Sequence, residues 1–207
     1  MLKRKKGRLL LTLLVITGLA GTLKDSTLSN KERKSLTTSF KESKTAILAS
    51  VKGLSRAQLD FRNSSHMSIR ESFRDLVRTE KILWSTLETT MQAPVTPEKR
   101  SLLRVQDHQL VQNTAMNDLD RYLPVSFGNP SADAGTLAVT VDQFKTSRTQ
   151  HLKYIKTTTE DLRNHLIELR SGWVDCYQFI LIISAYSDRY LKEVEIIKND
   201  PAYPSRK

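Results

Sequence analysis

The sequence predicts an all-α fold built on four long helices, and three observations predict it. Glycine and proline number only 7 and 6 in 207 residues, and Pro94, Pro97, Pro124, Pro130, Pro201 and Pro204 all fall outside the periodic stretches. Apolar residues recur at steps of three and four over four long segments. The last segment, Gly172 to Lys198, is apolar on nearly every side between Phe179 and Ala185, so it is expected to sit among other helices rather than on a surface. A chain of this length with 39% hydrophobic residues builds one ordinary core.

Residues 1–20 have a basic start, an uncharged apolar run from Leu9, and small residues at Gly18 and Ala20, the three regions of a secretory signal peptide. The uncharged run ends before Lys24, short of the roughly 20 residues a spanning helix needs, so an uncleaved anchor is the alternative. Export to the periplasm or the medium is the expected address, with no stable membrane anchor once the segment is cut. A polar linker, residues 21–28, leads to a domain expected over residues 29–200. Ser29 and Glu32 have capping-box spacing, and Leu36, Phe40, Ala46, Ile47 and Val51 mark a helix that Gly53 ends. Leu54, Leu59 and Phe61 follow in a short turn placed to plug one end of the helices.

The second helix is expected from Ser68 to about Met91, with Ile69, Phe73, Leu76, Val77, Glu80, Leu83, Trp84 and Leu87 on its inward face and Asp75 beside that stripe. Thr96, Pro97 and Glu98 start a short helix, and residues 123–135 read as loop. Such a long crossover permits the second and third helices to run parallel. The third, from about Thr136 to Thr157, carries Leu137, Val141, Phe144, Arg148, His151, Leu152 and Ile155 inward. Arg148 there reads as a stem snorkelling to the end of the helices or as a guanidinium facing a ligand. A brief turn then leads to the final helix, with Phe179, Ile183, Tyr186, Tyr190, Val194 and Ile197 on one face, and residues 201–207 form a tail expected to fray.

Charge and cysteine usage narrow the partners. Lys3, Arg4, Lys5, Lys6 and Arg8 supply five positives ahead of the first acid, Asp25, so the formal charge falls from +11 to +6 once that segment is set aside. A moderately basic domain without a clustered aromatic and basic face gives no footprint for nucleic acid. The single Cys176 excludes an internal disulfide, and its place at the start of an apolar helix reads as a buried small hydrophobe.

Four phrases in order, LSRAQLDFR, MSIRESFRDLVRTE, FKTSRTQHLKYIKTTTEDLR and GWVDCYQFILIISAYSDRY, resemble the DinB superfamily of YfiT-like four-helix bundles. The second phrase is similar to the family pattern W-S-I-x-E-x-x-x-H-I-x-x-x-E, and the last to G-x-x-D-x-Y-Q followed by A-H-x-x-R-H. The resemblance spans roughly Ser29 to Lys198. It implies a four-helix bundle of up-down-down-up course, often dimeric, and a divalent metal held by three histidines at the mouth of the bundle. Thiol-dependent transfer and metal-dependent hydrolysis are the activities it implies.

Carried over position by position, the family's first histidine falls on Asp75 and its pair on Tyr186 and Tyr190, and Met67 stands at the leading tryptophan. Neutral imidazole suits zinc and nickel, whereas a phenol of pKa about 10 does not. His66, His108, His151 and His165 include no pair at i,i+4 spacing, and the one rearranged alternative, a weakly held divalent metal, joins His151 to Asp75. The expectation is therefore no cofactor, and a pocket of Asp75, Tyr186, Tyr190 and Arg148 that hydrogen-bonds a small polar ligand, binds a protein partner, or closes on itself. The alternative is a transferase or hydrolase of the DinB type, for which the sequence offers no Ser, His and Asp constellation or nucleophile elbow.

Overall fold

Each α-helix opens on a cap written in the sequence. The computed structural model describes residues 27–62, 67–107, 109–110, 119–125, 127 and 135–205, and the expectations for residues 1–26, for His66 and His108, and for part of the crossover lie outside that set. In chain order the α-helices are α1 (Asn30–Val51), α2 (Arg56–Asp60), α3 (Ile69–Gln92), α4 (Leu137–Thr157) and α5 (Cys176–Lys198). Capping boxes start α1, α2, α3 and α5, at Ser29 with Glu32, Ser55 with Gln58, Ser68 with Glu71, and Asp175 with Gln178; Thr136 caps α4. Each cap satisfies backbone N–H groups that the helix cannot, worth about 1 kcal/mol.

The protein is mostly helical, with four long helices, and α1 and α3 each pack against both α4 and α5. Phe40, Ile47, Phe73, Leu83, Phe144, Ile155, Phe179 and Ile183 are wholly buried where they meet. Leu28, just ahead of α1, is buried as well, which anchors the end of the linker in the core. Cys176 is fully buried with no disulfide, and burial pushes its thiol well above the ordinary range. Among the described residues no helix is long and apolar enough to cross a membrane.

Two elements differ from the sequence expectation. The last helix starts at Cys176 rather than Gly172, because residues 166–175 form an antiparallel hairpin of β1 (Leu166–Leu169) and β2 (Gly172–Asp175). Leu166 pairs with Asp175 and Leu169 with Gly172, and Gly172 adopts φ 120°, a conformation open to glycine alone at little cost. Ile167, Leu169 and Val174 are buried, so the hairpin closes one end of the core, against α3, α5 and a 3-10 turn at Pro97–Leu102. The tail also departs from expectation: Tyr203 meets Phe61 edge to face at 5.5 Å, and Gln58 Nε2 donates to the Pro204 carbonyl at 3.0 Å. The ring contact with Phe61 and the bond from Gln58 of α2 tie down Tyr203 and Pro204.

Candidate functional site

Residues of α3, α5, the hairpin turn and segment 119–127 line a cavity of about 390 Å³. Asp75 comes from α3, Tyr186 and Tyr190 come from successive turns of α5, and all three line it. The three positions carried over from the resemblance therefore share one concavity. Segment 119–127 contributes Asp120, Leu123 and Phe127, and the hairpin turn contributes Arg170, held by its backbone N–H to the Leu123 carbonyl at 3.1 Å.

The charged lining is largely neutralised in pairs. Asp75 accepts a hydrogen bond from Arg78, one turn along α3, and Arg189 lies 3.7 Å from Asp120. Arg170, exposed at the rim, and the half-buried Glu193 form no ion pair with any described residue. Ser72 is 3% exposed, lines the cavity, and its Oγ has no hydrogen-bond partner among the described residues. A buried hydroxyl left so costs about 1–3 kcal/mol.

Tyr190 is held as a neutral phenol. Ser50 Oγ donates to the Ile47 carbonyl at 2.7 Å, and with its single proton spent it accepts from the Tyr190 hydroxyl at 2.9 Å. Burial pushes the Tyr190 phenol well above its ordinary pKa. A divalent metal does not fit this donor set: the one carboxylate at the carried-over positions is engaged by a guanidinium, and the Tyr190 proton is committed to Ser50. Among the described residues no three His, Cys, Asp or Glu side chains cluster as metal ligands.

Arg148 is a correction. It does not line the cavity, nor does it reach the end of the helices; it is 0% exposed and ion-pairs with Glu80 of α3. Its Nη2 donates to Glu80 Oε2 at 2.8 Å, its Nη1 donates to Ser43 Oγ at 3.2 Å, and Nη2 also reaches Ser187 Oγ. The Nε atom lies 2.7 Å from Glu80 Oε1 as an ion-pair contact without hydrogen-bond alignment. Phe40 and Phe144 cover the guanidinium at 4.6 and 5.3 Å. His151 belongs to the same cluster, with Nδ1 3.0 Å from Glu80 Oε1 and its ring stacked on Trp84 at 3.7 Å, so it is not brought to Asp75. The physical reason is charge: Glu80 projects from the apolar stripe of α3 and takes both cationic and hydrogen-bonding partners of α4.

A second network was not foreseen from the sequence. Arg163 joins Glu32 of α1, Asp107, and Asp175 at the start of α5, with Asp107 Oδ2 at 2.9 Å and Asp175 Oδ2 at 3.0 Å, and its guanidinium lies 4.0 Å over Tyr177. Gln178 Nε2 donates to the Val105 carbonyl and to Asp107, both at 2.9 Å. Burial pushes Asp175 up to about 6 against the pull of Arg163. The D-x-Y-Q phrase thus has a structural task here, as a helix cap, a cation–π platform and a crosslink. The signal available was its position at the mouth of an apolar helix.

No protein family, no curated protein and no solved structure matches the chain.

Proposed function

We propose that this chain is an exported, non-catalytic binding module of DinB-like architecture, a four-helix bundle of up-down-down-up course whose former metal mouth takes a small polar ligand. Side-chain order supports the course. Phe73 with Phe144, Glu80 with Arg148, and Trp84 with Tyr154 succeed one another along α3 and α4, as parallel helices require. Lys198 at the end of α5 donates to the Ser50 carbonyl near the end of α1 at 2.7 Å, and Phe73 near the start of α3 meets Tyr190 late in α5 at 6.0 Å. These contacts support α1 and α5 running in one sense and α3 opposed to α5.

The observation that carries the functional reading is the cavity itself: Asp75, Tyr186 and Tyr190 line about 390 Å³, within the range of small-ligand sites, and Ser72 is part of the same wall. Export rests on the basic and apolar pattern of residues 1–20. The test is a melting-temperature screen with small carboxylic acids, amines, amino acids, sugars and phosphate esters, run on the wild type and on Tyr186→Phe with Ser72→Ala. A compound that raises the wild-type melting temperature and not that of the double variant supports the reading. A screen in which both proteins respond alike to every compound refutes it.

A further inference from the structure

We infer that the cavity takes a small zwitterion, a molecule with one carboxylate and one ammonium group on an apolar frame, as in a free aliphatic amino acid. The inference rests on the binding-module reading and assigns its ligand class. Four of the six ionic side chains on the wall already neutralise one another, Asp75 with Arg78 and Asp120 with Arg189. Arg170 and Glu193 are left, one of each sign, without an ion-pair partner among the described residues.

A ligand bearing only a carboxylate would satisfy Arg170 and face Glu193 with like charge. A ligand bearing only an amine would do the reverse. One carrying both signs is neutral overall, as the lining is, and meets each group with its complement. Leu76, Leu123 and Phe127 supply apolar wall for the rest of the molecule.

The experiment is calorimetric titration of the full-length chain with leucine, with 4-methylpentanoate, which lacks the amine, and with 3-methylbutylamine, which lacks the carboxylate. The expected result is leucine binding at least about tenfold tighter than either analogue, the loss that follows from removing one charge-assisted hydrogen bond. Arg170→Gln is expected to weaken leucine about tenfold and to bind the amine at least as well as wild type does, and Glu193→Gln to weaken leucine and to bind the acid at least as well. Both side chains stand at least partly in solvent, so these variants fold. Equal binding of leucine and one analogue overturns the zwitterion assignment while the pocket remains a binding site. Absence of binding by all three overturns it as well, and the binding-module reading then falls only if the broader melting screen is also flat.

Discussion

Replacing Arg148 by methionine is expected to destabilise the protein severely without touching the cavity. The substitution keeps most of the apolar stem between Phe40 and Phe144 but removes the guanidinium from Glu80, a carboxylate only 3% exposed. Among the described residues Glu80 then keeps His151 as its sole side-chain partner, and Ser43 and Ser187 lose their bond to Arg148 across the interface. Breaking one side of a buried pair costs about 3–5 kcal/mol. For a chain of this size about 2–4 °C of melting temperature accompanies each kcal/mol, so a fall of roughly 6–20 °C is expected. Glu80→Gln combined with Arg148→Met removes the stranded charge while the amide still bonds His151, and is expected to recover stability to within about 2 kcal/mol of wild type. Urea denaturation of both single variants and the double variant gives the coupling. A loss below about 1 kcal/mol for Arg148→Met, or a double variant worse than the sum of the singles, would refute the account of this cluster.

Tyr190→Phe removes the hydroxyl that donates to Ser50 and is expected to cost about 1 kcal/mol in urea denaturation, since Ser50 keeps its bond to Ile47. Gly172→Ala forces a side chain onto φ 120° at the hairpin turn, and a loss of about 1–3 kcal/mol is expected in the same assay. Asp175 supplies a pH prediction. Its folded pKa of about 6 lies above the ordinary value near 4, so between those pH values the folded state holds the proton more often than the unfolded chain. The stability tied to this carboxyl therefore declines as pH rises from about 4 to about 6. Measured against Asp175→Asn, which retains an N-cap, wild type is expected to lose ground across that window; a gain would mean that Arg163 outweighs burial.

Much of the fold was legible because its signals are local and repeated. Ser29, Ser68 and Thr136 announce their helices, and the stripes that begin at Ile69 and Leu137 persist for several turns. The hairpin was not legible: four-residue strands are too short to establish a period, and the apolar pattern after Asp175 reads smoothly back to Gly172. The tail was missed for a different cause, since its order comes from contacts with Phe61 and Gln58 distant in sequence.

The site divides along the same line. Asp75, Tyr186 and Tyr190 were placed by motif position and do surround one cavity, whereas Arg170 depends on the hairpin and could not be foreseen. Glu80, Arg148 and His151 were all readable as ionisable residues on inward stripes. What the stripes did not reveal was that they face one another, so Arg148 was assigned to the pocket rather than to Glu80. Ser72 lies one turn from Ile69 and from Leu76, which marks it as inward-facing, but a serine on a stripe does not show whether its hydroxyl has a partner.

The most direct measurement is metal stoichiometry by elemental analysis of protein purified without chelator and then offered zinc, nickel and manganese, with melting curves taken in parallel. With Asp75 engaged by Arg78 and the Tyr190 phenol committed to Ser50, no bound metal and no change in melting temperature are expected. About one metal per chain with a raised melting temperature would contradict the central claim that the mouth of the four helices has become a site for a small polar ligand.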